Sequence, residues 1–101
     1  MDINDVNRYR GDFFRVLQQT ERSQTAVMTI GAGEDAGPEE THPGDQIIYI
    51  VEGEGVLRVD TDERRVGAGA LVIIPAGARH HVRNSGRTPL FLVTVYAPPA
   101  Y

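Results

Sequence analysis

The sequence predicts an all-β sandwich or barrel, and three observations lead there. β-Branched residues are abundant, with 11 Val, 7 Ile and 7 Thr in 101 residues. Short apolar runs recur at intervals of roughly 8–12 residues with Gly, Pro, Asn or Asp between them, the spacing of antiparallel β folds. No stretch sustains the 3.6-residue period of an amphipathic helix.

Taken in order, residues 3–10 read as a single helical turn. Strands are expected near 13–18, 24–30, 38–42, 46–52, 55–60, 63–67, 70–75, 79–84 and 89–97. Glycines between residues 31 and 37 mark a loop, because glycine reaches backbone angles closed to other residues. Gly53-Glu54-Gly55 reads as a tight connection, and Pro98-Pro99 ends the last strand. Asp60-Thr61-Asp62-Glu63 and Asn84-Ser85-Gly86 have the composition of hairpin turns. Pro75-Ala76-Gly77 fits a type I turn with Pro at its second position.

Composition narrows the chemistry. There is no Cys, and all ten basic residues are Arg. Without Cys there is no disulfide framework, thiolate nucleophile or zinc finger. Without Lys there is no Schiff base or phosphate-loop lysine. Ser23 and Ser85 are the only serines, and Ser85 sits in a turn with no orienting His beyond it, so a hydrolase triad is not expected. The net charge of −4 opposes binding to nucleic acid or to an anionic membrane surface. No apolar run approaches the ~20 residues of a membrane span. The length suits one domain over residues 1–101. The acidic start Met1-Asp2-Ile3-Asn4-Asp5 is unlike a signal peptide, so a cytoplasmic location is expected.

Two runs, Gln46-Ile47-Ile48-Tyr49-Ile50-Val51 and Leu71-Val72-Ile73-Ile74, are apolar on both faces. One face fills an interior; the other needs cover, and a homodimer is the expected source.

Four polar residues stand out against this pattern. Glu40 and His42 are two apart and face one side of an extended segment. Gln46 has the parity of Ile48 and Ile50, and His80 that of Val82, so both point inward beside core residues. His81 and Arg83 point outward, with His81 expected to be exposed. Inward polar groups must find partners. They either satisfy one another or jointly bind a cation. Mixed imidazole and carboxylate donors suit a divalent transition metal such as Mn, Fe, Co, Ni, Cu or Zn. Asp45 is placed as a turn residue or as a group orienting an imidazole.

These residues carry a resemblance to the cupin superfamily. Gly69, Pro75, Gly77, His80 and Asn84 match its second signature, G-x5-P-x-G-x2-H-x3-N, at every fixed position. The first signature, G-x5-H-x-H-x3/4-E-x6-G, is met in spacing but altered in chemistry. Glu40 stands at its first His, His42 at its second, Gln46 at its Glu and Gly53 at its closing Gly, while Glu34 replaces the opening Gly. The similarity spans residues 33–97. The run His42-Pro43-Gly44-Asp45-Gln46, with Tyr49 and Gly53, looks like the small cupins termed mannose-6-phosphate-isomerase-like. The resemblance implies a double-stranded β-helix (jelly-roll) barrel with a metal near its mouth. The ligands it carries over are Glu40, His42, Gln46 and His80. One carboxylate is kept, moved from the third ligand position to the first. Glu40 is then also the candidate catalytic base. The expected partner is a small organic or sugar-like molecule, acted on by dioxygenase, isomerase or lyase chemistry, or held without reaction. A metal-free structural barrel is the remaining alternative.

Overall fold

A computed structural model describes residues 1–101. A 3₁₀ turn at Val6–Tyr9, capped by the Asp5 side chain, precedes eight strands. These are β1 (Phe14–Gln19), β2 (Gln24–Ile30), β3 (Asp45–Glu52), β4 (Glu54–Val59), β5 (Asp62–Gly67), β6 (Leu71–Ile74), β7 (His80–Asn84) and β8 (Leu90–Ala97). They form two antiparallel sheets. One has five strands in the order β1-β2-β8-β3-β6, the other three in the order β5-β4-β7.

Alternation explains which face is inside. Along β3, Gln46, Ile48 and Ile50 are buried, and along β7, His80, Val82 and Asn84 are. Ile30, Ile48, Ile50, Leu57, Ile74, Val82, Leu90 and Leu92 form the core between the two sheets. Gln46 and His80 therefore sit at one end of an apolar interior. On the outside, the N-terminal segment covers part of the larger sheet, with the Arg10 guanidinium 4.7 Å from the centre of the Phe91 ring. The outer faces of β3 and β6 stay bare, with Leu71 72%, Ile73 62% and Tyr49 44% exposed.

Eight of the nine expected strands form, within a residue or two of their expected ends. The exception is 38–42, which makes only an isolated bridge from Glu40 to His80. Pro38 and Pro43 bracket this segment and lack the N–H groups a longer ladder needs.

Two turns also differ from expectation. Ala78 N donates to the Pro75 carbonyl at 3.1 Å, and Gly77 has φ +79. Pro75 is thus the first residue of the turn, and Gly77 supplies the positive angle of a type II turn. Asn84-Ser85-Gly86 is not a hairpin, because β7 and β8 lie in different sheets. Asn84 Oδ1 accepts from Gly86 N at 2.8 Å, while its Nδ2 donates to Ile30 O and Thr88 O at 2.9 and 2.8 Å. One buried amide thereby ties the crossover to the end of β2.

Gly53 joins β3 to β4 where the chain changes sheets. It has φ +88, and a Cβ there would come within 2.5 Å of Pro89 O and 2.9 Å of Leu90 Cα. Gly33 also has positive φ (+77), but open space surrounds it. Gly53→Ala should therefore cost about 2–5 kcal/mol, combining left-handed strain with overpacking. Gly33→Ala should cost only the strain, about 1–2 kcal/mol. Urea unfolding of both variants checks this; equal losses would contradict the close-approach account.

Candidate metal centre

The centre is assembled by the backbone. Glu40 N donates to His80 O at 3.1 Å and His80 N to Glu40 O at 3.0 Å, so the two residues face each other across a single antiparallel bridge. Gly77 N donates to His42 O at 2.8 Å, fixing the following residues to the turn before β7. Asp45 Oδ1 accepts from Ala76 N at 3.0 Å, which ties the start of β3 to the same turn. Three stretches distant in sequence thus meet at one end of the barrel.

The side chains converge on this point. Glu40, His42 and His80 each offer one ligand atom, and these atoms lie within 4.8 Å of one another. His80 Nδ1 is 3.2 Å from the Ala78 carbonyl. A carbonyl only accepts, so Nδ1 carries the proton and Nε2 keeps its lone pair. His42 Nε2 lies 3.5 Å from Glu40 Oε2, and the two imidazole rings are 5.2 Å apart. Gln46 is 6% exposed, and its Nε2 is 3.0 Å from Thr94 Oγ1. Thr94 gives its only hydroxyl proton to Ile47 O at 3.0 Å. The amide group beside it must therefore be the donor, which leaves Gln46 Oε1 as a free acceptor.

Two buried atoms have no hydrogen-bond partner, His42 Nε2 and Gln46 Oε1. A self-satisfied polar network would leave neither, since each orphan costs about 1–3 kcal/mol. Gln46 Oε1 is a lone-pair donor, and His42 Nε2 is one when Nδ1 carries the ring proton. Gln46 lines the same cavity as Glu40 and His80, and His42 Nε2 lies beside the Glu40 carboxylate. A divalent cation fits this donor set.

Burial sets the local electrostatics. His42 titrates below the usual imidazole range, first because it is buried, then because His80 is near; Glu40 pulls weakly the other way. Burial pushes the Tyr96 phenol up to about 12. Tyr101 is also raised, by burial first and then by its hydrogen bond to Glu40. Both phenols therefore stay protonated and serve as neutral polar groups. Beside the cluster opens a cavity of about 210 Å³, with Glu40, Gln46 and His80 at its polar end and Phe14, Met28, Ile48 and Leu92 among its apolar walls.

The chain matches the cupin domain family over residues 26–96. This protein is a cupin. It is 34% identical to the Bacillus subtilis protein YrkC over 98% of its own length and 56% of that protein's. It thus spans about half the length of the relatives it matches. Among solved structures, a Bacillus halodurans protein shares 36% identity with a TM-score of 0.84, covering 88% of this chain and 72% of that one. A Thermus thermophilus protein shares 33% identity with a TM-score of 0.83, covering 97% and 98%.

Within this cupin, the structure brings the ligand atoms of Glu40, His42 and His80 together, and Gln46 lines the same cavity as Glu40 and His80. Asp45 serves the turn and holds no imidazole; the Ala78 carbonyl takes that part for His80. His81 is not an exposed residue. Its side chain is 19% exposed, lies 3.6 Å from Asp35 and lines the cavity, because residues 34–40 hydrogen-bond along the edge of β7 and bring Asp35 beside it. Tyr49 is on the outer face, away from the cluster.

Thr94, Tyr96 and Tyr101 belong to the site as well and were not expected from sequence. Tyr96 pairs with Gln46 across the β3–β8 ladder, so its inward parity follows from that of Gln46. Tyr101 follows two prolines outside any strand, and no local pattern places it.

The lowered His42 titration has a consequence for stability. The unfolded chain takes up a proton near pH 6.5 and the folded chain only at lower pH. Between those values the unfolded state binds more protons, so stability falls as pH drops below 6.5 and the loss ends at the folded value. Thermal melts of wild type and His42→Gln across this window check the assignment. The wild type should lose more on acidification; parallel losses would contradict it.

Proposed function

We propose that this cupin binds one divalent transition metal through Glu40, His42 and His80, with Gln46 Oε1 as a fourth, neutral donor. One observation carries the reading: His42 Nε2 and Gln46 Oε1 are buried without partners inside a cluster that also presents a carboxylate and a second imidazole lone pair. Nitrogen and oxygen donors in this mixture accept Mn, Fe, Co, Ni, Cu or Zn. When bound, the metal supplies a Lewis acid that polarises a ligand oxygen.

The adjoining cavity receives a small organic molecule. At about 210 Å³ it is smaller than the ~300–1,000 Å³ of ordinary ligand pockets. Its walls are mostly apolar and include no Arg, and the chain has no Lys. A phosphate would find no Arg or Lys there to supplement the metal. The lining favours a compact, apolar-bodied molecule with one or two oxygens over a sugar phosphate. Thr94, Tyr96 and Gln46 orient its polar end, and the apolar walls exclude water around its body. Glu40 is the catalytic base of this scheme: its side chain is 49% exposed, and it is the one carboxylate at the cavity's polar end.

We further propose that the bare outer face of β3 and β6 pairs two copies of the chain. Ile47 lies opposite Ile73 and Tyr49 opposite Leu71 on that face. Leu71 and Ile73 are among the most exposed large apolar side chains in the protein.

Elemental analysis of protein purified without an affinity tag should find about one metal per chain, lost in Glu40→Ala, His42→Ala and His80→Ala and lowered in Gln46→Ala. Metal content indifferent to the first three variants would overturn the site. With metal confirmed in both wild type and Glu40→Gln, turnover of a panel of small diketones and catechols that disappears in the variant supports the base. Binding without turnover would make the protein a binding barrel. Light scattering at micromolar concentration should give twice the 11.1 kDa chain mass, falling to one chain in Leu71→Asp. A wild-type mass of one chain would exclude the dimer.

A further inference from the structure

Tyr101 offers no ligand atom to the cluster and is 54% exposed, yet its hydroxyl, ring and main chain each have a partner. Its hydroxyl donates to Glu40 Oε2 at 2.7 Å, and the same oxygen lies 3.5 Å from His42 Nε2. Its ring packs against Phe14 at 4.9 Å, Tyr96 at 5.2 Å and His42 at 5.6 Å between centroids. Its main chain is gripped by Gln24, which is 1% exposed. Gln24 Oε1 accepts from Ala100 N at 3.2 Å and Tyr101 N at 3.0 Å, and its Nε2 donates to Tyr101 O at 2.7 Å. A buried amide in the first position of β2 thus holds residues 100 and 101. Gly44 adds a second fastening: a Cβ there would run into Ala97 O and Pro98 Cδ.

Glu40 has fewer side-chain partners. It too lies outside the strands, and its side chain is 49% exposed. A carboxylate so placed samples several rotamers, and a ligand that must be ordered on binding weakens affinity. His80 is held by the Ala78 carbonyl, whereas Glu40 receives its one side-chain hydrogen bond from Tyr101.

We propose that Tyr101 is a positioning residue for Glu40. Its phenol occupies one lone pair of the carboxylate and holds the group against the two imidazoles, and Gln24 holds the phenol in place. The proposal rests on the metal reading above and adds to it a residue from outside both cupin signatures. The 2.7 Å separation is the short distance of a hydroxyl donating to a charged oxygen. Outer groups that orient a ligand typically change metal affinity by roughly 10–100-fold.

The test is Co²⁺ titration of the full chain, followed by its visible absorption. Tyr101→Phe keeps the ring and its packing and removes only the hydroxyl. It should bind Co²⁺ about 10–100-fold more weakly and shift the visible band, because the carboxylate no longer has one orientation. Tyr9→Phe removes a phenol hydroxyl that bonds Asn4 Oδ1, away from the cluster. It should keep the affinity within about twofold of wild type and leave the band in place, because no outer group of the ligands is touched. An unchanged affinity and band in Tyr101→Phe would overturn the proposal while leaving the metal site intact. Equal changes in Tyr101→Phe and Tyr9→Phe would overturn it too, by showing that the loss does not depend on the bond to Glu40. Wild-type protein that takes up no Co²⁺ would overturn the metal reading itself.

Discussion

Two backbone hydrogen bonds between Glu40 and His80, at 3.1 and 3.0 Å, hold the site together. Glu40 lies on a segment with no ladder of its own, and His80 opens a strand of the smaller sheet. Without this bridge nothing in the larger sheet would bring a carboxylate to that imidazole. The neighbouring bonds, Gly77 N to His42 O and Ala76 N to Asp45 Oδ1, extend the same seam. The turn at residues 75–78 is therefore the shared anchor of the donor-bearing stretches. Its glycine and proline serve the chemistry by fixing where main-chain N–H groups point.

The barrel gives this seam its dielectric. Gln46 and His80 cap an interior of Ile, Leu and Val, so a lone pair left there without a partner is expensive. The same burial keeps His42 neutral and the Tyr96 phenol protonated. Stability and function pull against each other here, as the orphaned acceptors that weaken the metal-free fold are the ones that would hold a cation.

Much of this was legible in the sequence. Strand parity alone turned Gln46 and His80 inward, because a period of two leaves no other choice once Ile48, Ile50 and Val82 are in the core. The second cupin signature located His80 and Asn84, and the altered first signature located Glu40, His42 and Gln46. What stayed hidden depends on contacts across long sequence separations. The 38–42 segment has strand composition, but its prolines deny it a ladder. His81 has outward parity, yet a segment from much earlier in the chain pairs along the edge of β7 and sets Asp35 beside it, so parity did not predict exposure. Asn84-Ser85-Gly86 has hairpin chemistry, while topology makes it a crossing between sheets. Tyr101 is placed by Gln24, 77 positions away, and nothing local signals that pairing.

The most direct measurement is anomalous diffraction from crystals of the wild-type protein grown with Zn²⁺. One peak is predicted about 2.0–2.2 Å from His42 Nε2, His80 Nε2 and a Glu40 carboxylate oxygen, with Gln46 Oε1 turned toward it. A cluster without a peak, its His42 Nε2 and Gln46 Oε1 satisfied by ordered water alone, would contradict the account.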